Sequence, residues 1–142
     1  MSEARPRPQP SPLSKPFWEA CRRGELIAQR CSACARFRHY PTPRCPSCQS
    51  EKFEWAPLEG RGEIYSYTVS HQAFHPYFKQ HVPYVLASVE LVEGIRMLAF
   101  LPDLDPTEVR IGMALQVCFQ AVDDTLTLPC WKALEDSGDG EP

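Results

Sequence analysis

No apolar run in this 142-residue chain approaches the roughly 18 residues that a membrane-spanning helix needs. The first residues, Met1-Ser2-Glu3-Ala4-Arg5-Pro6, lack the apolar core of a secretory signal, so a cytoplasmic protein is the expectation and no membrane partner is expected. Glycine is scarce, seven residues against fifteen prolines, and five of those prolines fall within the first sixteen positions. The proline excess therefore marks a tail more than a fold. A disulfide scaffold is disfavoured as well: the seven cysteines are odd in number, and four of them stand in two Cys-x-x-Cys pairs, a pattern that points to metal.

Hydrophobic residues make up 43% and charged residues 23%, which suits one modest globular core. The net charge of −3 is unevenly spread. Residues 1–56 carry +5, residues 57–134 carry −4 and the last eight residues another −4. An acidic back half argues against polyanion binding there.

The composition divides the chain into four parts. Residues 1–15 form a Pro-rich tail with Pro6, Pro8, Pro10 and Pro12 at alternate positions, expected to stay extended and mobile. Residues 135–142 form an acidic tail expected to be disordered. Pro16 to Gly24 reads as a short helix, with Ser14 as its cap, Pro16 in its first turn and Gly24 as its stop. Two turns cannot stand alone in water, so this helix packs on something. Phe17, Ala20 and Cys21 share one face, while Trp18 points partly away, which makes Phe17 and Trp18 candidates for a partner surface.

From residue 57 the pattern becomes that of strands. Gly62–Ser70, Tyr84–Leu91, Ile95–Leu101, Leu115–Val122 and Thr125–Trp131 are the five expected, with hairpins at Val92-Glu93-Gly94 and Asp123-Asp124. Asp105-Pro106-Thr107-Glu108 reads as a short-helix start between the third and fourth. Such a set fits a small, partly open barrel of the OB type, and an SH3-like barrel would look similar. The fold class is thus mainly β: a short helix and a metal-binding ribbon (16–56), then a five-stranded barrel (57–134).

The strongest chemical signal is Cys31-x2-Cys34-x10-Cys45-x2-Cys48. Two knuckles closed by the spacer bring four thiolates to about 2.3 Å from one ion, a tetrahedron with no open position, so the metal is structural. Zinc is expected; iron in a rubredoxin-like centre uses the same ligands, but nothing else here suggests electron transfer. Many such knuckles carry Gly after the second cysteine, whereas Ala35 and Gln49 stand here, at a cost of about 1 kcal/mol each if the backbone is left-handed. Arg30, Arg36, Arg38 and Arg44 surround this site. They balance the −2 charge of a four-thiolate zinc centre or grip the phosphates of a nucleotide or coenzyme A.

Cys118 and Cys130 read as small buried strand residues rather than nucleophiles, with no histidine close in sequence. No catalytic residue is assigned. The 13-residue connection His71–Pro83 carries three of the four histidines and three aromatics, and long loops in compact domains tend to be functional. Its Phe74, His75, Tyr77 and Phe78 form a candidate wall for a ligand or partner; a metal site at His71 and His75, a general acid or base, and a loop folded back on its own barrel are the alternatives.

Pro16-Phe17-Trp18, Gln29-Arg30-Cys31-x-x-Cys34, Cys45-Pro46-x-Cys48, Pro83-Tyr84-Val85, Glu93-Gly94 and Val109-Arg110-Ile111-Gly112-Met113, in this order and spacing, resemble the family of acyl-CoA-associated proteins with an N-terminal helix, a rubredoxin-like zinc ribbon and a C-terminal OB-fold. The resemblance covers about residues 15–134. It implies a non-catalytic subunit paired with a thiolase-superfamily enzyme, including lipid-transfer-protein-like aldolases of steroid side-chain breakdown, or with an enoyl-CoA hydratase. It further implies that ribbon and helix contact the partner while the OB domain helps shape the acyl-CoA path. A nucleic-acid-binding zinc-ribbon and OB module is the alternative, disfavoured because Glu90 and Glu93 outnumber the single base Arg96 on the second and third barrel strands.

Overall fold

A computed structural model describes residues 7–134; the acidic tail and the first six residues lie outside the described part. The helix α1 spans Lys15–Arg22. Its C-terminus is a Schellman motif: Gly24, at φ +76°, donates to the Cys21 carbonyl and Glu25 donates to the Ala20 carbonyl. Its start differs from the expectation. Ser14 sits at the cap position in a helical conformation without a side-chain cap bond, because its hydroxyl is engaged with the Ser11 backbone. Residues 11–14 form a hydrogen-bonded turn, and Arg7 pairs with Asp123 at 2.7 Å, so this part of the expected extended tail is folded against the molecule.

Three strands build the ribbon: β1 (Ile27–Cys31), β2 (Phe37–Arg38) and β3 (Phe53–Pro57), antiparallel in the order β2-β1-β3. The barrel follows as β4 (Arg61–Ser70), β5 (Tyr84–Leu91), β6 (Arg96–Leu101), β7 (Ala114–Ala121) and β8 (Thr127–Ala133), in the antiparallel order β6-β5-β4-β7-β8. The five strands match the expected set within two residues at each end. β4 is long enough to serve two neighbours: it pairs with β5 along Gly62–Ser70 and with β7 only at Arg61–Glu63. Gly62 permits the close approach at this branch, since a Cβ there would stand 2.5 Å from the Glu90 carbonyl oxygen.

The helix start expected at Asp105 is a single turn. The Asp105 carboxylate accepts from the Thr107 amide and hydroxyl, as a cap would, but the chain turns out of helical geometry so that Val109 is buried and Gly112 (φ +88°) leads into β7. A short helix α2 (Pro76–Lys79) instead stands in the long loop. Among the described residues no helix is long and apolar enough to cross a membrane.

Strand alternation sends Ile64, Val85, Ala87, Val89, Met97, Ala99, Leu101, Leu115 and Trp131 inward. Phe17, Cys21 and Leu26 belong to the same core cluster, because α1 packs on β7 and β8. The buried Cys21 thiol is pushed up to about 12 by desolvation and is chemically quiet.

His39, between the rings of Phe17 (5.4 Å) and Tyr40 (4.1 Å), is lowered from 6.5 to about 4 by burial, which penalises the imidazolium. The unfolded chain takes up this proton near 6.5 and the folded chain does not until about 4, so this residue favours folding least at acid pH. Lowering the pH from 7 to 5 is expected to cost about 1 to 2 kcal/mol through His39. Urea titrations at the two pH values check this: the His39→Gln variant should lose that part of the pH dependence.

Candidate metal centre and adjoining surfaces

The two knuckles are built alike. In the first, Cys31 donates its amide to the Arg36 carbonyl (2.8 Å) and its carbonyl accepts from the Ala35 amide (2.9 Å); in the second, Cys45 donates to Ser50 (2.9 Å) and accepts from Gln49 (2.9 Å). Both frames place the fifth residue in the left-handed region, Ala35 at φ +68° and Gln49 at φ +69°, as the cysteine pattern requires despite the absence of glycine. Amides also point at sulfur: Cys34 donates to Cys31 Sγ and Ser47 to Cys45 Sγ, each at 3.4 Å.

The four sulfurs lie within 4.8 Å of one another, with Cys31 and Cys48 at 3.5 Å and Cys34 and Cys45 at 3.7 Å. Among the described residues this is the one cluster of three or more histidine, cysteine or acidic groups gathered closely enough to hold an ion. Backbone donors, first of all the Cys34 amide, lower Cys31 to about 6, and the amides of Cys48 and Ser47 lower Cys45. For Cys48 the Ser50 amide acts downward, but the sulfurs of Cys31, Cys34 and Cys45 together with desolvation push it up to about 11. Four convergent thiol sulfurs suit a tetrahedral ion, and the centre is a structural zinc site.

The arginines near the site each have a local partner. Arg38 is buried and donates to Gln29 Oε1 (2.9 Å) and to the Thr42 carbonyl (3.0 Å), with its guanidinium over the Phe53 ring. Arg36 donates to Ser47, Arg44 pairs with Glu51, and Arg30 lies over Phe37.

The two residues expected on the partner helix differ in exposure. Phe17, 5% exposed, is a core residue whose ring borders a cavity instead of standing on the open surface. Trp18, half-buried and edge-on to Phe17 at 5.0 Å, lines an apolar cavity of about 340 Å³ between α1, the ribbon and the barrel. Tyr40 (55% exposed) and Leu98 (63%) also line it, and sequence reasoning missed both. A signal was present in β6: Met97-Leu98-Ala99-Phe100-Leu101 is apolar on both faces, more than one buried face requires. On the outward face Leu98 and Phe100 alternate, and Phe100 pairs across the ladder with the exposed Leu86.

The long loop divides its four candidates. Phe78 folds back onto Tyr84 (5.8 Å) and Phe100 (5.2 Å), and Tyr77 packs on Phe78 (5.1 Å) and His81 (4.8 Å). His75 caps α2, its Nδ1 accepting from the Tyr77 amide at 3.0 Å. Phe74 and His75 are exposed, and Phe74 stands out furthest, at 87% exposure. Tyr84 and Phe100 also pack edge-to-face on each other at 4.9 Å, and Arg96 lies over Tyr65 at 3.5 Å, so the rings and base that a nucleic-acid reading would use serve one another.

Family models match both halves: residues 18–54 match "ChsH2, rubredoxin-like zinc ribbon domain" and residues 55–120 match "ChsH2, C-terminal OB-fold domain". The chain belongs to the ChsH2 family. The solved structure of an "Ltp2-ChsH2(DUF35) aldolase" is similar with TM-score 0.79 and 38% identity, over 89% of this chain and 98% of that one. A probable enoyl-CoA hydratase alpha subunit of Thermomonospora curvata is 41% identical over 90% of this chain and 40% of its own length. The 3-oxo-4,17-pregnadiene-20-carboxyl-CoA hydratase alpha subunit of Mycobacterium tuberculosis is 36% identical over 82% and 37%. The chain thus spans about two fifths of the length of these two relatives.

Purified protein should carry one zinc per chain, and Cys45→Ser should abolish stoichiometric loading. Ala35→Gly and Gln49→Gly should each relieve about 1 kcal/mol of backbone strain, read as about fivefold tighter zinc in a competition titration with a chromogenic chelator.

Proposed function

We propose that this chain is a non-catalytic accessory subunit. It binds a thiolase-superfamily enzyme of the lipid-transfer-protein-like thiolase/aldolase kind, or an enoyl-CoA hydratase, and helps form that enzyme's acyl-CoA site in lipid or steroid side-chain metabolism. The observation that carries this reading is the likeness to the Ltp2-ChsH2(DUF35) aldolase structure, which spans nearly all of that chain. The hydratase alpha subunits among the relatives, one of them named for a steroid acyl-CoA, support the same class of partner. A cytoplasmic setting fits these partners.

The chemistry of the chain agrees. Its metal site is closed by four thiols and offers no position to a substrate. His75 is used as a cap and His39 is held neutral between rings. The acyl-CoA contact is therefore indirect, through the partner's site. The cavity mouth at Trp18, Tyr40 and Leu98, continued along Phe100 and Leu86, is the apolar surface that the partner covers. The exposure of Phe74 on its loop supports a role for it on the ligand or partner face.

A tagged pull-down from nuclease-treated lysate, read by mass spectrometry, should recover a thiolase-like or hydratase subunit at stoichiometric level. Leu98→Asp should weaken that complex about thirtyfold while leaving the thermal midpoint of the isolated chain nearly unchanged, since Leu98 is exposed. Recovery of ribosomal or polymerase components instead, or thioester turnover by the isolated chain, would overturn the reading.

A further inference from the structure

The β7–β8 hairpin sets Cys118 and Cys130 directly opposite one another in the antiparallel ladder. Their sulfurs stand 2.6 Å apart, closer than the 3.5 and 3.7 Å of the touching thiol pairs in the zinc centre. A disulfide needs Cβ atoms about 3.8 Å apart and sulfurs at about 2.05 Å, so bond formation on this rung asks for only a small adjustment. Alternation along the strands puts both cysteines on the face away from the buried Leu115 and Trp131. Both are half-buried, within reach of a small reagent. The three sets of cysteines thus differ in chemistry: four are gathered around a metal, Cys21 is fully buried and quiet, and these two face each other near the surface.

We propose that Cys118 and Cys130 are a thiol–disulfide site that exchanges with low-molecular-weight disulfides. One thiolate of the pair attacks oxidised glutathione, forming a mixed disulfide and releasing one glutathione thiolate. The opposing thiol loses its proton and attacks the sulfur of its neighbour, closing the cross-strand bond and releasing the second glutathione. Two protein thiols are oxidised by two electrons, and one glutathione disulfide is reduced to two thiols. Reduced glutathione or dithiothreitol reverses the step. In a reducing compartment the pair rests as a dithiol, and an oxidative pulse closes it.

The bond would join strands that carry other features. Its loop contains Asp123, which holds Arg7, and Asp124, whose carbonyl accepts from Arg22 at the end of α1. Pro129 and Trp131, on either side of Cys130, line the cavity. Closing the rung therefore stiffens the wall against which α1 is seated.

The test uses the full, zinc-loaded chain with excess oxidised glutathione, followed by acid quenching, intact mass and peptide mapping, with zinc measured in parallel. The expected result is a mass lower by two hydrogens, a peptide joining residues 118 and 130, retained zinc, reversal by dithiothreitol, and a thermal midpoint raised by about 4 °C or more. Cys118→Ser and Cys130→Ser should each stop at a lasting glutathione adduct on the remaining cysteine of the pair. An unchanged mass, a wild-type adduct that never resolves, or a bond mapped to a zinc ligand would overturn the proposal, whether or not the serine variants fold.

Discussion

The seating of α1 against β7 and β8 is the contact on which the other arrangements rest. A two-turn helix has no stability of its own, and a five-stranded barrel with β6 and β8 as sheet edges leaves an apolar side to cover. Phe17, Ala20 and Cys21 solve both problems by entering the barrel's surroundings as core residues. The Schellman turn at Gly24 then redirects the chain so that Leu26 joins the same core before β1 begins. The ribbon is in this way fixed to a packed base at its entry, and the Leu58 amide, which donates to the Leu26 carbonyl, fixes it at its exit.

Local order was highly legible from the residues alone. The four zinc ligands could be read because a metal site compresses its geometry into spacing, and the barrel strands because period-two burial writes itself into adjacent residues. Tyr84–Leu91 was found to the residue. Harder to read was anything that depends on which distant surface meets which. Phe17 and Trp18 could be told apart by helix face, but that both rings border one cavity follows only from the docking of α1. Tyr40 and Leu98 could not be connected by spacing, since one follows the ribbon's second strand and the other lies on the barrel.

Local competition accounts for the rest. Ser14 and Asp105 both carry side chains suited to helix caps, yet Ser14 spends its hydroxyl on Ser11, and Asp105 nucleates a turn that burial of Val109 prevents from continuing. The partnership of Cys118 and Cys130 was latent in the hairpin, for each lies six residues from Asp124. It emerges once the register, rather than the individual residue, is considered.

The helix and its seat are far apart along the chain: Arg7 meets Asp123 across 116 positions, and Arg22 meets Asp124 across 102. An element made early therefore finds its partner only after both later strands exist, and it spends the interval with Phe17 and Cys21 uncovered. Contacts of such sequence separation slow folding and lengthen the life of sticky intermediates. The zinc knuckles, closed within seventeen residues, have no such delay. The molecule thus joins a quickly made, metal-pinned centre to a slow topological closure, and its vulnerability during synthesis lies in the wait between them.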